Sequence, residues 1–289
     1  MAEASPIIQV FTGPTAAGKS ATAIGRAMEI PGAEIISADS RQIYREIAIG
    51  TAKPGVDEQA GLPHHFVDEL SLSESFSAGA FAAEANQRIA TIISRGGVPI
   101  VVGGSPLYIQ ALVFGLAPLP PKSPAIRAEL MHAIDTGRAD VLFAELERVD
   151  PVSAATMDMT KSQRLVRALE IYRSTGRTRT SFFAEQRPPP FRYHTTVITH
   201  PRQVLYDRIN RRVDQMLEAG LVDEVQRVLD SGFSADLNAL QTIGYQEPIA
   251  YLRGDLTKDQ MRERIKRNTR RFAKRQLTWF RKHFTFEEG

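Results

Sequence analysis

The segment GPTAAGKS, at residues 13–20, constrains the fold of this chain more than any other feature. It matches the pattern G-x-x-x-x-G-K-[ST] at every fixed position, directly after an apolar run and before a helical pattern. In such a loop the glycines let backbone N–H groups point at a phosphate, and the following helix adds the positive end of its dipole. Lys19 contributes a mobile cation, and Ser20 contributes a hydroxyl suited to Mg²⁺. The motif predicts binding of a diphosphate or a triphosphate and leaves the rest of the ligand open.

Apolar, β-branched runs alternate with helical patterns around this loop. Strands are predicted at 6–11, 33–38, 97–104 and 194–200, and helices at 17–28, 78–94, 206–217 and 222–229. Such alternation favours a parallel sheet covered on both faces, whereas the stretch from 126 to 175 shows only helical periodicity. The predicted class is α/β, a P-loop parallel sheet core with a mostly helical insertion domain. The predicted domains are 1–121 (first part of the core), 122–191 (insertion) and 192–289 (core completion with basic C-terminal helices).

Composition narrows the classes of protein that remain. The chain of 289 residues has no cysteine, which excludes disulfides, thiolate nucleophiles and cysteine-based zinc sites. It has no apolar run long enough to span a bilayer and no basic region ahead of an apolar stretch at its N-terminus, so we expect a cytoplasmic protein. Net charge is only +3, but the segment 253–282 carries twelve basic residues and three acids. Such a block is typical of a polyanion-binding surface or of a solvated helix face.

Asp39 is the second candidate for chemistry, since it lies at the expected carboxyl end of the strand predicted at 33–38. Ligands of open parallel sheets bind beyond such strand ends. A carboxylate there can accept a proton from an attacking amine, or it can cap a helix, and position alone favours neither role. Arg41, Gln42 and Tyr44 follow with side chains able to read a base or stack on it.

Other polar residues near predicted strand ends bear on whether the phosphate loop supports ATP hydrolysis. The strand predicted at 97–104 ends in two glycines and Ser105, where many P-loop NTPases place a metal-binding acid. Asp68 is a candidate for that acid, but its short segment has no clear pattern. The loop is therefore expected to hold a diphosphate leaving group rather than to support ATP hydrolysis. For the adjacent His64 and His65 we expect a structural role, because no third metal ligand accompanies them.

Ten segments follow one another between residues 13 and 281. They are GPTAAGKS at 13–20, DSRQIYR at 39–45, IGTAKP at 49–54, PHHFVDEL at 63–70, GGSPLY at 103–108, DPVSAA at 150–155, QRLVRALEIYRSTG at 163–176, DRINRRVDQMLEAGLVDEV at 207–225, QTIGYQE at 241–247 and TRRFAKRQLTWFR at 269–281. No segment after the phosphate loop is decisive alone. As an ordered set they resemble the tRNA dimethylallyltransferases, also called tRNA isopentenyltransferases, of the bacterial type.

The resemblance implies a reaction and its participants. A dimethylallyl group is transferred from dimethylallyl diphosphate to the exocyclic N6 amine of the adenosine 3′ of the anticodon in tRNA, and diphosphate is released. The implied catalytic residues are Asp39 as general base, Ser105 as a hydroxyl at the reacting region and Arg212 as a cation that stabilises the leaving group. The implied cofactor is Mg²⁺, and the partners are the anticodon stem-loop of tRNA and dimethylallyl diphosphate. Nothing requires a membrane or an oligomer, so we expect a monomer.

Two sets of binding residues are also implied by the resemblance. The cradle for the diphosphate is Gly13, Pro14, Thr15, Ala16, Ala17, Gly18, Lys19 and Ser20, with Ser20 as the Mg²⁺ ligand. The residues expected to contact tRNA are Asp39, Ser40, Arg41, Gln42, Ser105, Arg127, Gln163, Arg164, Leu165, Val166 and Arg167.

The chain departs from the family pattern at several places. GGSPLY stands where GGTGLY is common, so a hydroxyl is kept at Ser105 while Pro106 removes a backbone N–H. Phe272 stands where tyrosine is usual. Because the chain has no cysteine, it has no Cys/His zinc finger of the kind that eukaryotic relatives often append.

Three other functions are compatible with parts of the pattern. An adenylate isopentenyltransferase acting on free AMP, ADP or ATP would share the P-loop core, but it would need neither the helical insertion nor the basic C-terminal block. A P-loop small-molecule kinase would take its phosphoryl group from ATP and would need an arginine-bearing lid. A non-catalytic RNA-binding protein would need neither the phosphate loop nor Asp39.

Overall fold

A five-stranded parallel sheet forms the centre of the fold. The computed structural model describes residues 6–158 and 162–285. The strands are β1 Ile7–Thr12, β2 Ala33–Ser37, β3 His64–His65, β4 Val98–Gly103 and β5 Arg192–Val197. They pair in the order β3-β2-β4-β1-β5, and every pair is parallel. The predicted α/β class with a parallel sheet is therefore confirmed.

Helices connect these strands and continue after the last of them. They are α1 Lys19–Met28, α2 Ala78–Ser94, α3 Pro106–Phe114, α4 Pro124–Asp135, α5 Ala139–Val149, α6 Pro151–Ala155, α7 Ser162–Thr175, α8 Arg179–Ala184, α9 Arg202–Glu218, α10 Leu221–Asp230, α11 Gln246–Leu252 and α12 Lys258–His283. The prediction for α2 is confirmed at both ends, and Ser77 caps it by accepting from the amide of Ala80. None of the helices in the described ranges is long and apolar enough to cross a membrane.

The chain folds into two compact units. One unit comprises Met1–Val113 with Pro190–Gly289, and the other is Phe114–Pro189. The boundaries predicted from the sequence, after 121 and 191, lie eight and two residues further along the chain than those after Val113 and Pro189, and the assignment of roles to the domains stays a prediction. Within the second unit α4, α5 and α7 pack around a core that includes Leu130, Leu146 and Leu169.

The sheet differs from its prediction at both of its edges. The last strand was expected at 194–200 but runs over 192–197, because β1 ends at Thr12 and offers no ladder partner beyond it. Only the amide of Ile198 still donates to the carbonyl of Thr12, at 2.7 Å. At the opposite edge the two residues of β3 pair with Ile35 and Ile36. A strand of two residues is too short for hydrophobic alternation to predict.

A buried carboxylate anchors the turn between β2 and β3. Glu224, on α10, is 5% exposed. It accepts hydrogen bonds from the backbone amides of Ala48, Ile49 and Gly50, at 2.9, 2.8 and 3.3 Å. The hydroxyl of Tyr245 donates a fourth bond at 2.7 Å. Burial and the adjacent carboxylate both raise the pKa of Tyr245, so this donor keeps its proton.

We expect Glu224→Gln to destabilise the protein by about 3 kcal/mol, because an amide has one acceptor oxygen for four donors and turns its own NH₂ toward them. Urea unfolding measures the change in free energy of unfolding. The exposed Glu218→Gln, on α9, is the matched control and should change it by less than about 0.5 kcal/mol. A Glu224→Gln protein as stable as the wild type would show that the four hydrogen bonds do not hold this turn.

Candidate active site

The phosphate loop lies between β1 and α1, at the carboxyl end of the sheet. Gly18 adopts the left-handed conformation, with φ of 89°, and α1 begins at the next residue rather than at residue 17 as predicted. Gly13 has no room for a side chain, since a Cβ there would lie 2.1 Å from the carbonyl oxygen of Ile198. Ala16 also has a positive φ, 63°, although it is not glycine. It is buried against Ile209 and Ala273, so neighbouring helices hold the loop in this shape.

Lys19 is the cation at the centre of the loop, and its Nζ donates to the carbonyl of Pro14 at 3.4 Å. Burial lowers its pKa from 10.5 to about 8; the charge of Asp39 acts in the opposite direction, and Arg212 lowers it further. Asp39 and Arg212 therefore both lie within electrostatic reach of Lys19. Near pH 7 the ammonium is still mostly protonated, and a bound anion would hold the proton more tightly.

Asp39 uses one carboxylate oxygen for structure and leaves the other available. Its Oδ1 accepts from the backbone amides of Arg41 and Gln42, at 2.9 and 3.4 Å. Residues 40–43 form a turn, so the residue caps a turn and not an α-helix. Within the described part of the chain no group donates to Oδ2, and the side chain is half-buried. This oxygen can accept a proton without breaking the turn.

Ser105 joins the ends of β2 and β4. Its Oγ accepts from the backbone amide of Ser40 at 3.1 Å, and its own amide lies 3.4 Å from the carbonyl of Ala38. The two strand ends approach closely because Gly103 has no side chain: a Cβ there would lie 2.2 Å from the Ala38 carbonyl oxygen. Pro106 is the first residue of α3, where helices tolerate proline because the missing N–H would have no partner within the helix.

Two arginines one turn apart on α9 complete the charge around the loop. Arg212 is half-buried, and burial lowers its pKa while Glu58 partly offsets the effect. Arg208 lies beside Gly18, since a Cβ on that glycine would be 3.8 Å from its Nη1. The same Nη1 is 2.8 Å from Nε2 of His200, which is itself 3.0 Å from the carbonyl of Ala17. Sequence reasoning gave His200 no role.

Arg41 and Gln42, predicted to contact tRNA, form hydrogen bonds within the unit that contains the sheet. The amide nitrogen of Gln42 donates to the carbonyls of Thr51 and Ala52, at 3.3 and 3.1 Å. Its Oε1 accepts from Ser37 at 3.3 Å. Arg41 donates to the carbonyl of Asn238 at 3.2 Å, while its Nε is buried and unpaired among the described residues. The Gln42 side chain therefore supports the turn after Asp39, whereas Arg41 keeps an unused donor.

The predicted tRNA contacts at 127 and 163–167 lie in the helical unit. Arg127 and Arg167 both pair with Glu170, which is fully buried, at 3.4 and 3.1 Å. Leu165 and Val166 belong to the unit's hydrophobic core, so their side chains are not available to a ligand. Exposed side chains in this segment are those of Gln163 and Arg164.

Gln276, on α12, is a site residue that sequence reasoning missed. It is 2% exposed, and its Oε1 accepts from the amide of Thr15 at 2.9 Å. Its Nε2 donates to the carbonyl of Gly104 at 2.6 Å. The only signal was a glutamine within the conspicuously basic run AKRQLTWFR, whose cations drew attention to RNA instead. One turn later Trp279 is half-buried and stacks on His283 with ring centroids 4.3 Å apart.

Other sequence candidates have internal partners. His64 lies on β3 with Nδ1 2.9 Å from the carbonyl of Leu62, and His65 pairs with Glu34 at 2.8 Å. Asp68 forms an ion pair with Lys53. In the described ranges no three His, Cys, Asp or Glu residues are grouped so as to hold a metal ion.

The sheet is parallel, an anion-binding loop follows its first strand, and the charge of Asp39 acts on the lysine of that loop. These features define a P-loop protein that acts on a phosphorylated ligand. The IPP transferase family model matches residues 42–283. A tRNA dimethylallyltransferase from Salinibacter ruber is 51% identical over 282 residues, 97% of this chain and 87% of that protein. One from Chlorobium chlorochromatii is 46% identical over 96% of this chain and 91% of its own. The chain belongs to the IPP transferase family.

Solved structures agree with this assignment. A tRNA isopentenylpyrophosphate transferase from Bacillus halodurans superposes with a TM-score of 0.69 at 40% identity, covering 95% of this chain and 86% of its own. A eukaryotic dimethylallyltransferase described as acting on tRNA gives a TM-score of 0.82 at 31% identity, covering 96% and 70%.

The lowered pKa of Lys19 predicts that affinity for inorganic diphosphate falls as pH rises. Above pH 8 the ammonium loses its proton, and we expect the Kd at pH 9 to exceed that at pH 7.5 by about threefold or more. Isothermal titration calorimetry measures both values. In Lys19→Arg the cation stays charged throughout, so the ratio of the two Kd values should be smaller. Equal pH profiles for the two proteins would show that the pH dependence of diphosphate affinity does not come from Lys19.

Proposed function

We propose that this chain transfers a dimethylallyl group from dimethylallyl diphosphate to the N6 amine of the adenosine 3′ of the anticodon in tRNA. The observation that carries the proposal is that the phosphate loop after β1 and Asp39 after β2 lie together at the carboxyl end of the sheet, where the charge of Asp39 acts on Lys19. An anion that departs and an amine that loses a proton need these two groups in one pocket. The family and the names of its relatives support the choice of donor and acceptor.

The proposed reaction exchanges one bond for another at the first carbon of the prenyl group. The C–O bond to the diphosphate breaks and its electron pair leaves with the oxygen, while the N6 lone pair forms the new C–N bond. The resulting ammonium passes one proton to Oδ2 of Asp39, the oxygen that supports no turn hydrogen bond. An adenine amine is a weak nucleophile because its lone pair is delocalised into the ring. A base in place as the bond forms therefore lowers the barrier.

Negative charge accumulates on the leaving diphosphate as the allylic carbon becomes cationic. Lys19, Arg212 and the amides of the phosphate loop act on that charge in a partly buried site, where electrostatic interactions are strong. Removing one such group is expected to raise the barrier by about 3 kcal/mol. Ser105 accepts from the amide of Ser40 and donates to its hydroxyl at 3.4 Å, and rotation of the Ser105 hydroxyl would direct its proton toward the same anion instead.

Magnesium is the cofactor we propose, bound largely through the substrate. The fit is favourable because Ser20 is exposed in the first turn of α1 and offers one hydroxyl oxygen. Mg²⁺ commonly takes one or two protein oxygens together with phosphate oxygens and water, so a cluster of carboxylates is not needed. When bound, the ion would neutralise part of the charge on the diphosphate.

The outward face of α12 supports the proposal that RNA is a partner of this chain. The basic side chains of this helix that face α9 are engaged: Lys266 pairs with Asp214 at 2.8 Å, and Arg270 donates to Asn210 at 2.6 Å. Four of the exposed ones follow helical spacing and form no ion pair with any other described residue; these are Arg264, Arg267, Arg271 and Lys274. We name these four residues the basic face. Cations left unpaired at this spacing suit a phosphate backbone better than a protein partner.

The target adenine must leave its stack to reach the donor, at a cost of a few kcal/mol that is lower in a single-stranded loop. Phosphate contacts elsewhere on the RNA offset this cost. We propose the basic face and, in the helical unit, the exposed Gln163 and Arg164 as sources of such contacts. A monomer acting in the cytoplasm completes the proposal.

Asp39→Asn should reduce kcat about 100- to 10,000-fold while leaving affinity for RNA and for diphosphate nearly unchanged, because the amide keeps the turn hydrogen bond but cannot take a proton. Mass spectrometry of tRNA nucleosides after incubation with dimethylallyl diphosphate measures the product. The exposed Asp57→Asn is the control and should match the wild type.

The same assay separates the competing functions. Wild-type protein given AMP in place of tRNA should form no prenylated nucleotide. If tRNA stayed unmodified while ATP or AMP was consumed, the proposed function would be wrong.

Replacing Arg267 and Arg271 together by alanine should weaken RNA binding and lower the slope of log K against log salt by about one unit for each lost phosphate contact. Fluorescence anisotropy with an anticodon stem-loop, between 50 and 200 mM salt, supplies the slopes. Arg192→Ala, exposed on β5 and outside the basic segment 253–282, is the control. An unchanged slope in the double variant would remove the basic face from the RNA-binding surface.

A further inference from the structure

Gln276 connects two loops that both border the anion site. As described above, its side chain accepts from the amide of Thr15 in the phosphate loop and donates to the carbonyl of Gly104 after β4. Each side-chain polar atom thus has a backbone partner, and the residue is almost completely buried. A buried glutamine with both ends satisfied holds its two partners at a fixed separation.

The phosphate loop needs such support because of its own sequence. Where glycine would adopt a positive φ freely, this loop has Ala16 with φ of 63°. Two residues one turn apart on α12 contact neighbouring residues of the loop. Ala273 packs against Ala16, and Gln276 accepts a hydrogen bond from the amide of Thr15. The Thr15 N–H consequently points at α12 and not into the anion cradle.

The other end of Gln276 lies next to the loop's lysine. A Cβ placed on Gly104 would be 3.0 Å from Nε2 of Gln276, 3.0 Å from Cε of Lys19 and 3.1 Å from Nζ of Lys19. Lys19 and Gln276 therefore lie against the same glycine. Any shift of the Gly104 peptide changes the space that the ammonium group occupies.

We propose that Gln276 is a positioning residue of the diphosphate site, which sets the shape of the phosphate loop through Thr15 and the position of Lys19 through Gly104. It need not touch the ligand. The inference rests on the proposed function for the identity of the donor, but its effect on anion binding does not require prenyl transfer. The competing explanation is a structural role, in which the glutamine only ties α12 to the sheet.

Gln276→Met is the decisive variant, because methionine keeps the length and nearly the volume of the side chain while losing both hydrogen bonds. We expect the Kd for inorganic diphosphate, measured by calorimetry, to rise about tenfold. In steady-state kinetics the KM for dimethylallyl diphosphate should rise by a similar factor and that for tRNA by less than about twofold. Thr269→Val is the control: it removes a hydroxyl that bonds only to Ile265 within α12, and all three constants should stay within twofold.

Gln276→Glu provides a second measurement. The carboxylate still accepts from Thr15 but repels the Gly104 carbonyl and competes with diphosphate for Lys19, so diphosphate affinity should fall in the order wild type, Met, Glu. A Kd for Gln276→Met within twofold of the wild type would overturn the proposal. So would equal losses of diphosphate and RNA affinity that follow the midpoint of thermal unfolding, as a structural role predicts. A wild type that binds diphosphate but leaves tRNA unprenylated would instead refute the proposed function and leave this test intact.

Discussion

The fold depends on how closely three strand ends meet at the carboxyl edge of the sheet. Gly103 lies against the carbonyl of Ala38 with no space for a methyl group, and the hydroxyl of Thr12 donates to the Gly103 carbonyl at 2.7 Å. This contact places the phosphate loop after β1, Asp39 after β2 and Ser105 after β4 around one volume. A larger residue at position 103 would separate the groups that the chemistry needs together.

The charges in this volume do not cancel, because two cations, Lys19 and Arg212, lie with one carboxylate, Asp39. Burial lowers the pKa of the Lys19 ammonium group, and the charge of Arg212 lowers it further. Asp39 offsets part of that effect, although one of its oxygens is committed to the turn. The site therefore has an excess of positive charge that an incoming diphosphate relieves, which favours binding of the anion before the chemistry begins.

Local patterns predicted the sheet, the phosphate loop and most helix positions, because glycine spacing and hydrophobic periodicity are set by neighbouring residues. The fold brings Asp39 and Arg212 within electrostatic reach of Lys19, whereas their contact with an anion stays a prediction. The features that local patterns could not predict depend on contacts between residues far apart in the sequence. The two-residue strand β3 exists only because β2 has a free edge, and the role of Gln276 requires knowing that α12 passes the loop 261 residues earlier in the chain. Burial of Leu165 and Val166 follows from packing that a tRNA-contact assignment by resemblance does not consider.

The chain has a single tryptophan, Trp279, and the fold places it one turn beyond Gln276 on α12. Because its indole stacks on His283 and is partly shielded from water, its emission depends on the local arrangement of this helix. The protein therefore contains an intrinsic optical reporter close to where α12 supports the anion cradle. Ligand-induced changes in this region can be followed without attaching a dye.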